Sequence, residues 1–188
     1  GYRGKFKNLI VDFSAYYNSY KDFISQNVVT APFYGTVGDA ESALAIENDD
    51  FQDYGIYTNA DAAVNSYGAS LGLSTKIFGN FDLGGSYTYA KLDFDRNKYP
   101  DFVTNFNTPE HKFKASFGND NLFENFGFNV AYRFSDDYFW EATFGNGVIP
   151  EFHTVDAQIN LRVPSLKSTF KVGGTNLTGK EYFTAFGT

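Results

Sequence analysis

Across residues 155–163, apolar and polar residues alternate without an error. Val155, Ala157, Ile159, Leu161 and Val163 fall on one side, and Asp156, Gln158, Asn160 and Arg162 on the other. A period of two puts successive side chains on opposite faces of a strand. The run approaches the roughly 9–11 residues that a tilted strand needs to cross a bilayer. Strands in soluble domains average about five or six. One face is aliphatic and the other is charged, as a wall between hydrocarbon and water requires. Pro164-Ser165 cuts the run, and a second alternation begins at Ser168.

The same pattern recurs upstream. Over residues 9–20, Leu9, Val11, Phe13, Ala15 and Tyr17 oppose Asp12, Ser14, Tyr16 and Asn18. A hairpin follows at 67–77 and 81–89, turning at Gly79-Asn80. A fourth strand starts near His111, and Gly118-Asn119-Asp120-Asn121 reads as a short turn into a fifth at 126–134. The runs at 155–163 and from Ser168 are the sixth and seventh. Between them, residues 24–65, 93–110 and 135–152 show no period and read as long loops, a kind that is usually functional. Long loops therefore alternate with short turns near 79, 119 and 165. Outer-membrane barrels show this rhythm, with long loops outside and short periplasmic turns. Aromatic residues near the long-loop ends (Tyr16, Tyr17, Tyr20, Phe23, Tyr87, Tyr89, Phe94, Tyr132, Phe134) are expected to form an interfacial girdle.

Composition agrees with this all-β, antiparallel reading. The 188 residues include 22 Phe, 14 Tyr and 18 Gly but only 5 Pro. No apolar run is long enough for a membrane helix, a test that a membrane barrel escapes. Cysteine is absent, which excludes disulfides and thiolate metal sites. Methionine is absent even at position 1, so the chain is expected to be processed or a fragment; no signal peptide is visible. The net charge is −7. Residues 22–75 hold no Lys or Arg but carry Asp22, Asp39, Glu41, Glu47, Asp49, Asp50, Asp53 and Asp61. No basic patch speaks for nucleic acid.

No catalytic constellation is visible, and no cofactor or metal is called for. His111 and His153, at the outer starts of two strands, read as ordinary rim positions. The acidic stretch at 47–53 lacks the loop Gly and closing Glu of an EF-hand and reads as solvated. Tyr34, Phe51, Tyr54, Tyr57, Tyr99, Phe139 and Trp140 lie in the long loops. Their rings suit contacts to sugars, peptide side chains or siderophore rings, and Trp140 is the favoured single contact.

Seven strands do not close a single-chain bacterial barrel, which takes an even number and at least eight. Unpaired backbone groups in hydrocarbon would cost several kcal/mol each. The expectation is thus about seven strands of a larger transmembrane β-barrel, with at least one strand missing after Thr188.

Three segments carry a family resemblance. Lys171-Val172-Gly173-Gly174-Thr175-Asn176-Leu177-Thr178-Gly179-Lys180-Glu181-Tyr182-Phe183 resembles the "G-x-N-L-x-x-K-x-Y" signature of TonB-dependent outer-membrane receptors. Phe106-Asn107-Thr108-Pro109-Glu110-His111-Lys112 resembles their "N-x-P-x-H-K" step into a late strand. Residues 8–23, with Tyr16-Tyr17-Asn18, resemble a strand of the Bacteroidetes-type members. The resemblance implies a barrel of about 22 strands in the outer membrane of a Gram-negative cell. Residues 1–188 would be its C-terminal part, with the plug domain and last strand absent. It implies energised uptake of a large nutrient such as a glycan, siderophore or peptide, without enzymatic activity. The implied partners are the plug and remaining strands, the TonB-ExbB-ExbD complex through an absent N-terminal part, outer-membrane lipid and a surface lipoprotein. Asp12, Ser14, Asn18, Arg133, Asp156, Gln158, Asn160, Arg162 and Lys171 would then face the lumen and hydrogen-bond the plug. The alternatives are a small complete outer-membrane barrel for binding or adhesion, and a soluble all-β carbohydrate-binding module.

Overall fold

A computed structural model describes residues 1–35, 38–59, 63–100, 102–142 and 145–185. Its main element is an eight-stranded antiparallel meander. The strands are β1 (Tyr2–Phe6), β2 (Leu9–Tyr20), β5 (Val64–Ile77), β6 (Phe81–Asp93), β7 (His111–Phe123), β8 (Phe126–Ser135), β11 (Phe152–Val163) and β12 (Ser168–Gly174), side by side in that order. β1 and β12 are its two edges. Two smaller hairpins interrupt the meander at one end: β3 (Ile24–Pro32) with β4 (Phe51–Asn59), and β9 (Tyr138–Ala142) with β10 (Gly145–Ile149). A short helix, α1 (Ala40–Glu47), sits inside the first. The carboxylate of Asp39 caps it by accepting the Ser42 amide at 2.7 Å.

The register turns the alternation into two faces. Asp12, Gly72, Ser86, Lys114, Arg133 and Thr154 are successive partners across six strands. One residue on, Phe13, Leu71, Tyr87, Phe113, Phe134 and His153 are partners in the same way. A polar row and an apolar row thus lie on opposite sides of one sheet. Among the described residues nothing covers the apolar side: Ile159 is 49% and Val172 68% exposed. Against water, each such side chain would forgo about half or more of the roughly 1.5–3 kcal/mol that full burial gives. The buried residues instead gather at the outer end, where Val64 and Phe102 pack with Phe23, Leu92, Phe94 and Tyr99.

Four features differ from the sequence reading. The sheet has an eighth strand, β1, whose five residues and central Gly4 are too short a run for period two to register. The expected loop at 24–65 holds a hairpin and a helix, and that at 135–152 holds a second hairpin. Neither hairpin separates lipid from water, so neither needs strict alternation; Val28 and Val29 sit side by side in β3. The turn expected near 119 falls at Glu124-Asn125. β7 runs on through an irregularity between Asn119 and Phe123. There the Asn119 side chain accepts the Asn121 amide at 2.7 Å, so polar residues hold the strand beyond the expected turn. The tight turns of the meander share one end and use left-handed residues: Lys7, Phe78, Gly79, Asn125 and Lys167 all have positive φ.

Rings on the apolar face form a band near the long-loop end. Tyr67–Tyr89, Tyr89–His111, Phe113–Tyr132 and Tyr132–His153 have centroids 5.3–6.3 Å apart. The Tyr87 hydroxyl lies 2.7 Å from His111 Nδ1. Both histidines therefore belong to this belt, on β7 and β11 with β8 between them. Tyr16 and Tyr20 depart from the girdle: they share the polar face, opposite Gly68 and Val64. A Cβ at Gly68 would sit 2.4 Å from the Tyr89 carbonyl oxygen and 2.7 Å from the Tyr16 ring. Gly68→Ala is expected to destabilise by about 1–3 kcal/mol. In lipid vesicles the urea midpoint should fall with an unchanged slope; an unmoved midpoint would show that the strands part freely there.

Candidate functional site

The three long connections meet above one end of the sheet. The second, described at residues 94–100 and 102–110, runs between the two hairpins and ties to both. Toward β3, Asn27 and Phe102 form a bridge, and the Val103 amide donates to the Gln26 carbonyl at 3.0 Å. The buried Ser25 hydroxyl donates to the Val103 carbonyl. Toward β9, the hub is Glu141, whose side chain is only 8% exposed. Its Oε1 accepts the Thr104 amide at 2.8 Å and the Thr104 hydroxyl, and Arg96 approaches at 3.3 Å. Asn107 pairs with the Glu141 backbone on both sides, donating to its carbonyl at 2.9 Å and accepting its amide at 2.8 Å. A buried carboxylate is tolerated only with such donors around it.

A cavity of about 500 Å³ lies between these elements, lined by Val28 and Asp53 of the first hairpin, Phe102 and Val103 of the second connection, and Phe139 and Glu141 of the third. Arg96 stacks 5.3 Å from the Phe139 ring centre. The walls offer an aromatic face, a guanidinium and a carboxylate, a set able to hold a polar organic ligand by stacking and directed hydrogen bonds.

The seven loop aromatics do not converge on this cavity. Phe139 lines it. Phe51 and Tyr57 share the hairpin face of Val28 and Asp53, and Tyr54 takes the opposite face. Tyr34 hydrogen-bonds Asn48 at 3.4 Å. Tyr99 stacks on Phe94 at 5.6 Å and packs into the small core. Trp140 is half-buried, at the strand position whose side chain alternates away from Phe139 and Glu141. Sequence reasoning does not reach Arg96, Thr104 and Glu141 as site residues, since their role arises only from the meeting of distant segments; Asn107 stands in the motif at 106–112. Of the acids in the window 22–75, Asp61 lies outside the described residues. Among the described residues, no group of three metal-ligating side chains is assembled.

All nine residues expected in a lumen lie on the polar face of the sheet. Asp12, Ser14 and Asn18 face Gly72, Ser70 and Ser66 on β5, and Asn160 faces Lys171 on β12. Asp156 does not pair with Arg162. It binds Arg133 across the strands at 2.5 Å and accepts the Asn176 amide at 2.9 Å. The end of the chain is thereby pinned to the wall. Asn176 itself folds the following loop: its Oδ1 accepts from the Lys180 amide and the Thr178 hydroxyl, each at 3.2 Å, and its Nδ2 donates to the Lys180 carbonyl at 3.0 Å. Gly173 permits close strand approach, since a Cβ there would lie 2.9 Å from the Ala157 carbonyl oxygen. Beyond the loop, Tyr182 stacks on Phe152 at 4.3 Å, and the Tyr138 hydroxyl donates to the Thr184 carbonyl at 2.9 Å. Burial pushes the Tyr138 hydroxyl above the usual phenol range.

Comparison with known proteins identifies the architecture. Residues 1–177 match the family model "TonB dependent receptor-like, beta-barrel". The copper transporter OprC superposes with a TM-score of 0.64 at 16% identity, over 96% of this chain and 24% of its own. The siderophore receptor PirA from Acinetobacter baumannii gives 0.61 at 13% identity, over 95% and 26%. The FrpB iron transporter from Neisseria meningitidis (F5-1 variant) gives 0.63 at 13% identity, over 96% and 26%. At these identities the structural likeness concerns the fold. The chain spans about a quarter of the length of these solved structures. No curated protein matches it. The family match covers nearly the whole chain, and it gives the two faces their surroundings, lipid outside and the barrel interior within. The chain belongs to the TonB-dependent receptor family, as a segment of its outer-membrane β-barrel.

Proposed function

We propose that residues 1–188 form the C-terminal part of the barrel of a transport receptor that carries a large, scarce nutrient across the outer membrane, with energy delivered through TonB, ExbB and ExbD. The observation that carries this reading is the open sheet: β1 and β12 each have one strand partner and do not pair with each other among the described residues. Open edges in hydrocarbon cost several kcal/mol per unpaired group. Further strands of the receptor would satisfy them, and a plug and last strand outside residues 1–188 would complete it. That argument disfavours a small complete barrel. The uncovered apolar face disfavours a soluble module.

The cargo is a siderophore, a glycan, a peptide or a similar large molecule. Structures similar in fold are named for copper, siderophore and iron transport, so copper and ferric siderophores are among the cargoes to test. The nine polar-face residues would meet the plug, a surface lipoprotein would sit over the outer loops, and the source would be a Bacteroidetes-type bacterium. The test is growth of a strain lacking the full receptor, with ferric siderophores, copper or oligosaccharides as the limiting nutrient. Growth should require both the restored receptor and TonB. Equal growth without TonB would sink the reading.

The loop cavity would be the first contact for cargo, with Phe139 among its walls. Phe139→Ala is expected to weaken cargo binding to the purified receptor by about tenfold or more, as loss of a central aromatic contact does. Trp140→Ala should weaken it less. Unchanged affinity in Phe139→Ala, measured by calorimetry, would remove the cavity from the binding path.

A further inference from the structure

Three carboxylates on the interior face already have cations: Asp12 has Arg3 at 3.8 Å, Asp82 has Lys76 at 2.7 Å and Asp156 has Arg133 at 2.5 Å. Lys112, Lys114, Arg162 and Lys171 on the same face meet no carboxylate within 4 Å among the described residues. The interior wall is thus rich in cations, although the chain as a whole is acidic.

One place concentrates this excess. Lys114 on β7 and Arg133 on β8 are direct cross-strand partners. Like charges directly opposite each other destabilise a strand pair. Asp156 relieves only part of the repulsion, because its other oxygen is taken by the Asn176 amide. Beside the two cations the wall is hollow. Gly84, Ser116 and Ala131 are successive partners in the next row, and all are small. A Cβ at Gly84 would lie 2.8 Å from the Ser116 hydroxyl. The hollow measures about 390 Å³ and is lined by Ser86, Lys114, Ser116, Arg133 and Asp156 among others. Two cations, two hydroxyls and the one carboxylate of Asp156 surround a floor without bulk.

We propose that this hollow seats an anionic group, a carboxylate or a phosphate, presented from the barrel interior. The anion accepts from Lys114 Nζ, from the Arg133 guanidinium edge not held by Asp156, and from the Ser86 and Ser116 hydroxyls. It relieves the Lys114–Arg133 repulsion in a setting where low-dielectric walls strengthen charge pairing. Its source is either an acidic side chain elsewhere in the receptor or an acidic group on the cargo. The inference rests on the reading of this chain as part of a transport receptor whose polar face lines a filled interior.

The test uses the full receptor in detergent. A carbodiimide joins a lysine amine to a carboxylate in contact with it, with loss of water. Lys114 recovered in an amide bond to an Asp or Glu outside residues 1–188 would establish an internal source, and Lys114→Gln should abolish that product. Without such coupling, inorganic phosphate or citrate at about ten times its dissociation constant should slow acetylation of Lys114 about tenfold and leave the exposed Lys98 unaffected. That outcome would establish a soluble source. The proposal is overturned if Lys114 acetylates as fast as Lys98 with and without these anions and stays uncoupled, or if it couples only to Asp156. Freely reactive Lys114 in a receptor that still transports would refute the anion seat alone. TonB-independent growth would refute the transport reading and leave the Lys114 result standing.

Discussion

Glu141→Ala should release the outer loops from one another while leaving the barrel wall intact. Removing the carboxylate strands the Thr104 amide and hydroxyl in a buried position. Each buried donor left without a partner costs about 1–3 kcal/mol. The Arg96 ion pair adds little, since that side chain is 39% exposed and its charge is screened by water. The expected loss is about 3–4 kcal/mol of local stability, a rise of roughly two to three orders of magnitude in the open population of the loops. Amide hydrogen exchange at Thr104 and Val103 should accelerate accordingly, and exchange at Val130 or Leu71 in mid-sheet should not change. Glu141→Gln keeps one acceptor oxygen and should show a smaller effect. Unchanged exchange at Thr104 in Glu141→Ala would mean that packing of Phe102 against Val64, rather than the carboxylate, holds the loops.

The second large effect separates the two faces of one strand. Ile159 of β11 lies between Phe128 and Val172 on the apolar face. Ile159→Arg places a charge in hydrocarbon and is expected to cost about 2–4 kcal/mol. Gln158→Arg, the adjacent residue, points to the interior and should cost less than about 1 kcal/mol. The measurement is the urea midpoint of the receptor folded in lipid vesicles, with the fraction inserted read from the same samples. Equal losses at the two positions would mean that the faces have been assigned wrongly, and with them the lumen residues and the anion seat.

The loop site was only partly legible in the sequence, for a physical reason. Phe139 and Trp140 could be named from composition and position. Only the strand register shows that Phe139 shares the cavity side with Glu141 and that Trp140 alternates away from it. Thr104 and Asn107 are ordinary loop residues, and Glu141 an ordinary position of β9, until the second connection folds across that hairpin; nothing local marks a carboxylate as buried. The first hairpin escaped detection because both of its faces carry mixed residues, so it has no period to find. β1 escaped because its run is short.

The wall was different. Lipid demands apolar residues at every second position, and that demand is written directly into the chain: six of its strands follow from period two alone to within a few residues. The alternation also assigned Asp12, Arg133, Asp156 and Arg162 to one face, since a strand leaves only two choices. Pairing across strands is another matter. The six-residue spacing along one strand already rules out an Asp156–Arg162 pair, but that Asp156 meets Arg133 and the Asn176 amide, and that Lys114 faces Arg133, depends on the register between neighbouring strands. Register is set by the whole sheet and its turns. The sequence by itself determined the membrane-spanning wall and its two faces, because the solvent on each side imposes a local pattern. The tertiary structure alone decided the clasp of the loops, the cavity between them and the unbalanced cations of the interior, because those arise from which segments meet.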